Sequence, residues 1–278
     1  MPQNRTEEAL APSRAVEAVA ISFADGAAVR RSTHAAVETP VEFSYGGIPH
    51  AVMMATPADL EDFVVGFSIT EGVVRAPSDI RAFDIAPRAD GVAIAVELSA
   101  DALGRHLARR RTLSGRTSCG LCGVESLTDL RSTLARVRAA RLSARALQRA
   151  LGELERAQPL NAATRATHAA AWADASGALV CVREDVGRHN ALDKLIGARL
   201  RAGADGADGF VLVTSRASFE MVEKTATFGA GTLVSISAPT MLAIERAEKL
   251  ELTLIGVARP DGALVYAGAT PWRSGRDG

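Results

Sequence analysis

Several things that would simplify a functional reading are scarce or missing in this chain. Only three cysteines occur in 278 residues, which excludes a disulfide-stapled scaffold. Charge of one sign is not in excess either: 32 Lys and Arg are balanced by 32 Asp and Glu. A balanced chain has no overall pull on nucleic acid or membranes, so any anion it recognises is met by a local basic cluster. No apolar run is long enough to span a bilayer, and residues 1–20 mix Arg5, Glu7, Glu8, Arg14 and Glu17 with alanine where a signal peptide would have an apolar core. These absences describe a soluble, cytoplasmic protein that engages neither nucleic acid nor membrane. The abundant Ala and Arg carry no functional reading.

What is present begins with two of the three cysteines, in Gly115-Arg-Thr-Ser-Cys119-Gly-Leu-Cys122-Gly-Val-Glu-Ser-Leu127. Flanking glycines leave the sulfurs uncovered. Arg109, Arg110, Arg111 and Arg116 precede or adjoin them, and positive charge favours the thiolate, the nucleophilic form. In a reducing compartment a Cys-x-x-Cys is a redox, metal or sulfur-handling device. Cys181 differs: in Leu179-Val-Cys-Val182 it reads as a small buried hydrophobe.

The length suggests two domains. Residues 1–28 read as a flexible tail without firm periodicity, 29–115 as a smaller α+β domain and 116–272 as a larger α/β domain, with the Cys119/Cys122 loop at the junction. In the first domain, alternating runs over 41–45 and 48–54 flank Gly46 and Gly47, the pattern of a tight hairpin. A helix is expected from Thr56 as cap, with Pro57 at its first position and Gly72 at its end. Short strands over 81–85 and 92–98 and a helix over 102–113 follow. A further helix is expected over 124–138. Beyond a connector containing Pro159, a hairpin over 167–182 leads into alternating strands and helices up to a final strand over 263–266. That alternation implies a sheet with parallel strands covered on both faces.

In such sheets ligands bind beyond the carboxyl ends of the strands. The segments expected there are rich in polar residues: Arg183, Glu184, Asp185, Arg188 and His189; Thr214, Ser215, Arg216 and Ser218; Ser237 and Thr240; Arg259 and Asp261. Convergence of Arg183, Arg188, Arg216 and Arg259 with helix N-terminal amides and hydroxyls would hold a phosphate or pyrophosphate, so a nucleotide-like anion is expected. His189 has Asp185 nearby as a carboxylate partner, and His168 opens a strand that turns it either to the same cleft or into the core.

These runs, with Glu184-Asp-Val-Gly-Arg-His189-Asn-Ala-Leu-Asp-Lys194 and Ser215-Arg-Ala-Ser-Phe-Glu-Met-Val-Glu-Lys224, closely resemble the formate dehydrogenase accessory sulfurtransferase family, FdhD. Matching runs extend from about Val41 to Tyr266. The resemblance implies an enzyme that carries persulfide sulfur from a cysteine desulfurase to the molybdenum cofactor of formate dehydrogenase, bis(molybdopterin guanine dinucleotide). It further implies a cytidine-deaminase-like, three-layer second domain with a mixed sheet, and a homodimer. Cys119 would carry the persulfide and Cys122 would assist. The cofactor-contact segment falls on Val257, Ala258, Arg259, Pro260, Asp261 and Gly262, beside Arg188, His189, Ser215 and Arg216. The cofactor is cargo here, and no permanently bound metal is expected.

Rival readings fit less well. A zinc deaminase needs His-x-Glu and Pro-Cys-x-x-Cys, but no histidine is followed two positions later by glutamate, and Thr117-Ser118 precede Cys119. A structural zinc site would have to borrow two distant ligands. A thioredoxin-like oxidoreductase would place its Cys-x-x-Cys directly after a strand in a small fold. The strongest alternative is a non-enzymatic chaperone that binds the cofactor through the same arginine loops and needs no chemistry at Cys119.

Overall fold

The computed structural model describes residues 10–114, 134–140 and 142–268. The first element is a ribbon, β1 (Ser13–Ile21) paired antiparallel with β2 (Ala28–Ala36). Residues 13–21 were expected within a tail; they order as a strand because β2 supplies a continuous hydrogen-bonding partner. Nearly every residue of both strands is exposed, so no apolar alternation marks them.

The next unit is a four-stranded sheet of β3 (Thr39–Tyr45), β4 (Ile48–Ala55), β5 (Ile80–Arg88) and β6 (Gly91–Leu98), in the order β4-β3-β6-β5. The β3–β4 turn falls on Gly46 and Gly47, with φ of 56° and 77°, a pair of left-handed positions that favours glycine. Val41, Phe43 and Tyr45 alternate inward from β3 onto α1 (Leu60–Thr70), where Phe43 stacks on Phe67 at 4.5 Å between centroids. That helix begins later than Thr56 and Pro57 suggest. Its N-cap is Asp59, at φ 53°, because Thr56 is drawn away by bonds to the second unit described below. Gly72, at φ 65°, follows the helix end as expected. α2 (Ala100–Ser114) closes this unit.

The larger unit is a six-stranded mixed sheet in the order β12-β11-β10-β9-β7-β8. Its strands are β7 (His168–Asp174), β8 (Leu179–Asp185), β9 (Gly209–Val213), β10 (Thr232–Ser235), β11 (Thr253–Arg259) and β12 (Gly262–Ala267). The strands β9, β10 and β11 are mutually parallel, whereas β7 and β12 run antiparallel to their neighbours. Alternate residues face opposite ways. Ala170, Trp172, Val211, Val213, Leu233 and Leu254 pack against α5 (Arg188–Arg201), α6 (Phe219–Thr227) and α7 (Met241–Leu250). Ala171, Phe210, Leu212, Val234 and Ile255 pack on the other face against α3 (Ala144–Leu154), which Ser143 caps by accepting from Ala146 N. Short α4 (Pro159–Thr164) lies in the connector. The helix expected over 124–138 is not found in its described portion: residues 134–138 have no regular structure, and Val137 N donates to Leu250 O.

The units meet where α1 crosses α5, backbone against backbone. A Cβ placed on Gly66 would sit 1.7 Å from Asp193 O, and one on Gly197 would sit 1.8 Å from Asp62 O. Such an approach leaves no room for any side chain at either position. Ion pairs surround the crossing: Arg183 and Arg201 both reach Asp62, and Lys224 bridges Asp193 and Glu71. Among the described residues no helix is long and apolar enough to cross a membrane.

Candidate anion site at the strand ends

The topology brings the polar segments together. β8, β9, β10 and β11 end at one edge of the larger sheet, where β7 begins. The loops leaving these strands remain tied past the ladder. Ile236 N donates to Val213 O, Thr240 N to Ala217 O, and Val257 N to Ser237 O. Ser235 Oγ lies 2.7 Å from Ser215 O and 2.8 Å from Ser237 O, joining the first two loops underneath. The loops at this edge are thus joined by hydrogen bonds into a continuous backbone surface.

Three helix N-termini lie at this edge; that of α7 is capped by Thr240, which accepts from Ala243 N, whereas those of α5 and α6 have no side-chain cap and present their first-turn amides and positive dipole ends. Around them lie two buried polar atoms that have no hydrogen-bond partner among the described residues, Arg188 Nε and Ser218 Oγ. Buried polar atoms are nearly always bonded, so such a pair of donors points to a missing acceptor. His189 Nε2 is itself met within the protein, 2.8 Å from Glu220 Oε2. Pairing with His189 outweighs burial and holds the Glu220 carboxyl below the usual carboxylate range. His168, half-buried, stands opposite; burial and then the charge of Arg188 push its pKa down, so it presents a neutral imidazole.

Not every expected contributor joins. Arg183 turns away from the edge to Asp62, with Nε 2.8 Å from Oδ2, because the carboxylates of α1 lie closer to it. The expected partnership of His189 with Asp185 is likewise replaced by Glu220. Asp185 is fully buried and already bonded to Lys194 Nζ at 2.6 Å, Asn190 Nδ2, Gly187 N and Thr56 N. Arg216 is exposed on the rim, and Ser215 is buried beneath it. The Arg259 guanidinium folds back onto Ile236 O and Ala258 O at 2.6 and 2.8 Å. Cys181 is half-buried against the core, and burial raises its thiol pKa.

Within the segment 257–262 the β11–β12 register shifts, and Val257 adopts φ 52°. A β-branched residue there is strained by about 1–3 kcal/mol. The bulge exposes Val257 and carries Ala258 inward, while Pro260 O accepts from Gln148. Sequence reasoning gave no role to Glu220, whose only signal is an acid in the first turn of a helix; Glu184, expected at the strand ends, instead caps α4 by accepting from Leu160 N and Asn161 N. Cys119 and Cys122 lie outside the described residues.

A family model of the FdhD/NarQ family matches residues 36–272, which takes in every loop just described. The chain belongs to the FdhD/NarQ family. Among curated FdhD/NarQ relatives, a protein named sulfur carrier protein FdhD from Bordetella petrii is 49% identical over 241 residues, covering 86% of this chain and 87% of the relative. The protein of the same name from Cupriavidus necator is 52% identical over 233 residues, covering 84% and 81%. The solved structure of a formate dehydrogenase accessory protein from Desulfotalea psychrophila superposes with a TM-score of 0.76, covering 94% of this chain and 99% of that one at 24% identity. That likeness concerns the fold: the arrangement of sheets and helices is held in common.

Proposed function

We propose that this protein is a sulfur carrier for formate dehydrogenase, taking persulfide sulfur from a cysteine desulfurase and delivering it to molybdenum bis(molybdopterin guanine dinucleotide). The observation that carries the reading is the pair of unpartnered buried polar atoms at the strand ends, Arg188 Nε and Ser218 Oγ, beside His189, in a chain half identical to relatives named sulfur carriers. A pyrophosphate-bearing cofactor suits those donors: phosphate oxygens accept from helix N-terminal amides, guanidinium and imidazole alike. Ser215, Arg216 and the segment from Val257 through Ala258, Arg259, Pro260 and Asp261 to Gly262 extend the surface over which such cargo would lie.

In this reading Cys119 holds the sulfur. Its thiolate attacks the outer sulfur of the donor's persulfide; the donor S–S bond breaks, the donor leaves as a thiolate, and a new S–S bond forms on Cys119. No electrons enter or leave the pair, and the arginines at 109–111 and 116 favour the attacking thiolate. Cys122 assists the relay. A homodimer in the cytoplasm, domains dividing near residue 115, and a deaminase-like second domain belong to the same proposal, the last supported by a mixed six-stranded sheet with helices on both faces.

The test is intact-mass spectrometry after incubation with a cysteine desulfurase and cysteine. The wild-type protein and Cys122→Ala are expected to gain reducible sulfur, and Cys119→Ala to gain none while keeping a cooperative thermal transition. Equal sulfur uptake by Cys119→Ala would sink the assignment of Cys119. No uptake by the wild type, with nucleotide still bound, would favour the cofactor-binding chaperone.

A further inference from the structure

The loop that begins α5 carries Arg188 and His189, and Asp185 braces it from within its own unit by bonds to Gly187 N, Asn190 Nδ2 and Lys194 Nζ. Further fixed points come from the four-stranded unit. Thr56 N donates to Asp185 Oδ2 at 3.0 Å, and Thr56 Oγ1 accepts from Val186 N at 3.1 Å. Thr56 O accepts from Lys194 Nζ at 2.8 Å, and Met54 O accepts from Asn190 Nδ2 at 2.8 Å. The linker between β4 and α1 is therefore zipped along residues 185–194, with Thr56 fully buried at the centre. Asp185 completes the arrangement from within by accepting from Gly187 N at 2.7 Å.

From this geometry we infer that Thr56 is a positioning residue for the Arg188/His189 loop, so the anion site of the second unit is complete only when the first is docked. The inference rests on the reading of that loop as part of a phosphate-binding surface. The Thr56 hydroxyl meets a backbone donor that no other group among the described residues satisfies, and it does so two residues before Arg188. Without it, Val186 N has lost its acceptor, and the turn at Gly187 that aims Arg188 and His189 has lost one of its two anchors. By thermodynamic reciprocity, an anion that draws on Arg188 and His189 favours the docked arrangement in turn.

Two measurements on Thr56→Val and Thr56→Ser decide this. In hydrogen–deuterium exchange, Thr56→Val is expected to speed exchange in the peptide covering 183–190 while leaving the buried strand at 232–235 unchanged; Thr56→Ser, which keeps the hydroxyl, is expected to match wild type. In calorimetric titration with guanosine diphosphate as the probe, Thr56→Val is expected to bind about tenfold more weakly and Thr56→Ser within about threefold of wild type. A decade is about 1.4 kcal/mol, within the range for stranding one buried backbone donor. Wild-type protection over 183–190 in folded Thr56→Val overturns the proposal. Should Thr56→Val not fold, Thr56→Ala, which leaves the hydroxyl's space open, is read in the same way. If the wild type itself binds no guanosine diphosphate, the phosphate-binding reading fails, and the exchange data still decide whether Thr56 holds the loop.

Discussion

Adding one methyl group at Gly66 is expected to do more damage than most deletions in the core. The new Cβ would stand 1.7 Å from Asp193 O and 2.6 Å from Asp193 C, both backbone atoms that cannot rotate aside. An ordinary contact needs a separation near 3.4 Å, so α1 and α5 must part by well over an ångström along their crossing. Overpacking alone costs roughly 1–3 kcal/mol. Parting the helices also stretches the bonds of Asp193 to Thr70 and Lys224, each charge-assisted bond being worth about 1.5–3 kcal/mol. Gly66→Ala should therefore lose about 4 kcal/mol, a fall of roughly 1.3 M in the urea midpoint for a slope near 3 kcal/mol/M. Gly104→Ala is the control: that glycine lies within α2 with nothing inside 4 Å of its added Cβ, and alanine there should stabilise by about 0.5–1 kcal/mol. Gly197→Ala should resemble Gly66→Ala, and the double variant should fall short of the sum because the helices part only once. A loss below about 1 kcal/mol for Gly66→Ala would refute the backbone contact on which the docking of the units rests.

Two further outcomes follow from buried charge. Lys194 and Asp185 are both fully buried and 2.6 Å apart, so Lys194→Met strands a carboxylate and should cost about 3–5 kcal/mol at pH 7; a Lys194→Met/Asp185→Asn chain should recover part of this in urea denaturation, and no recovery would mean that the pair is not what Lys194 contributes. His50 is exposed at one edge, but desolvation of its ring against Tyr45 and Phe67, then the neighbouring His106, lowers its pKa to about 4, and His106 and His168 are lowered as well. A histidine depressed in the fold is protonated first in the unfolded chain, so this stability is intact above pH 6.5 and is lost as the pH falls toward 4. His50→Gln should flatten the stability profile across that window by up to one proton in slope, and an unchanged profile would show that His50 titrates normally.

Much of this molecule can be read from local pattern, and the exceptions have identifiable causes. The Gly46-Gly47 hairpin and the alternating strands and helices after His168 are local features, set by left-handed turn positions and by apolar periodicity, and they stand where the sequence places them. The helix start at Thr56 was misplaced because a good capping residue was recruited by a carboxylate 129 positions away. β1 escaped notice because a strand exposed on both faces has no alternation to display. Arg183 and Arg188 look alike in sequence, five residues apart, yet one faces Asp62 and the other the strand ends; which way each points depends on α1, an element from the other unit.

The sequence by itself determined the family, the kinds of residue at the strand ends and the order of the elements, because motif spacing and hydrophobic period survive without knowledge of any long-range contact. Tertiary structure alone decided the pairing of His189 with Glu220, the withdrawal of Arg183, the service of Thr56 to Asp185 and Val186, and the bare glycine crossing of α1 on α5. Each of these joins residues distant in the chain, and burial makes their partners matter: away from water, a polar group takes whichever partner the fold brings within reach.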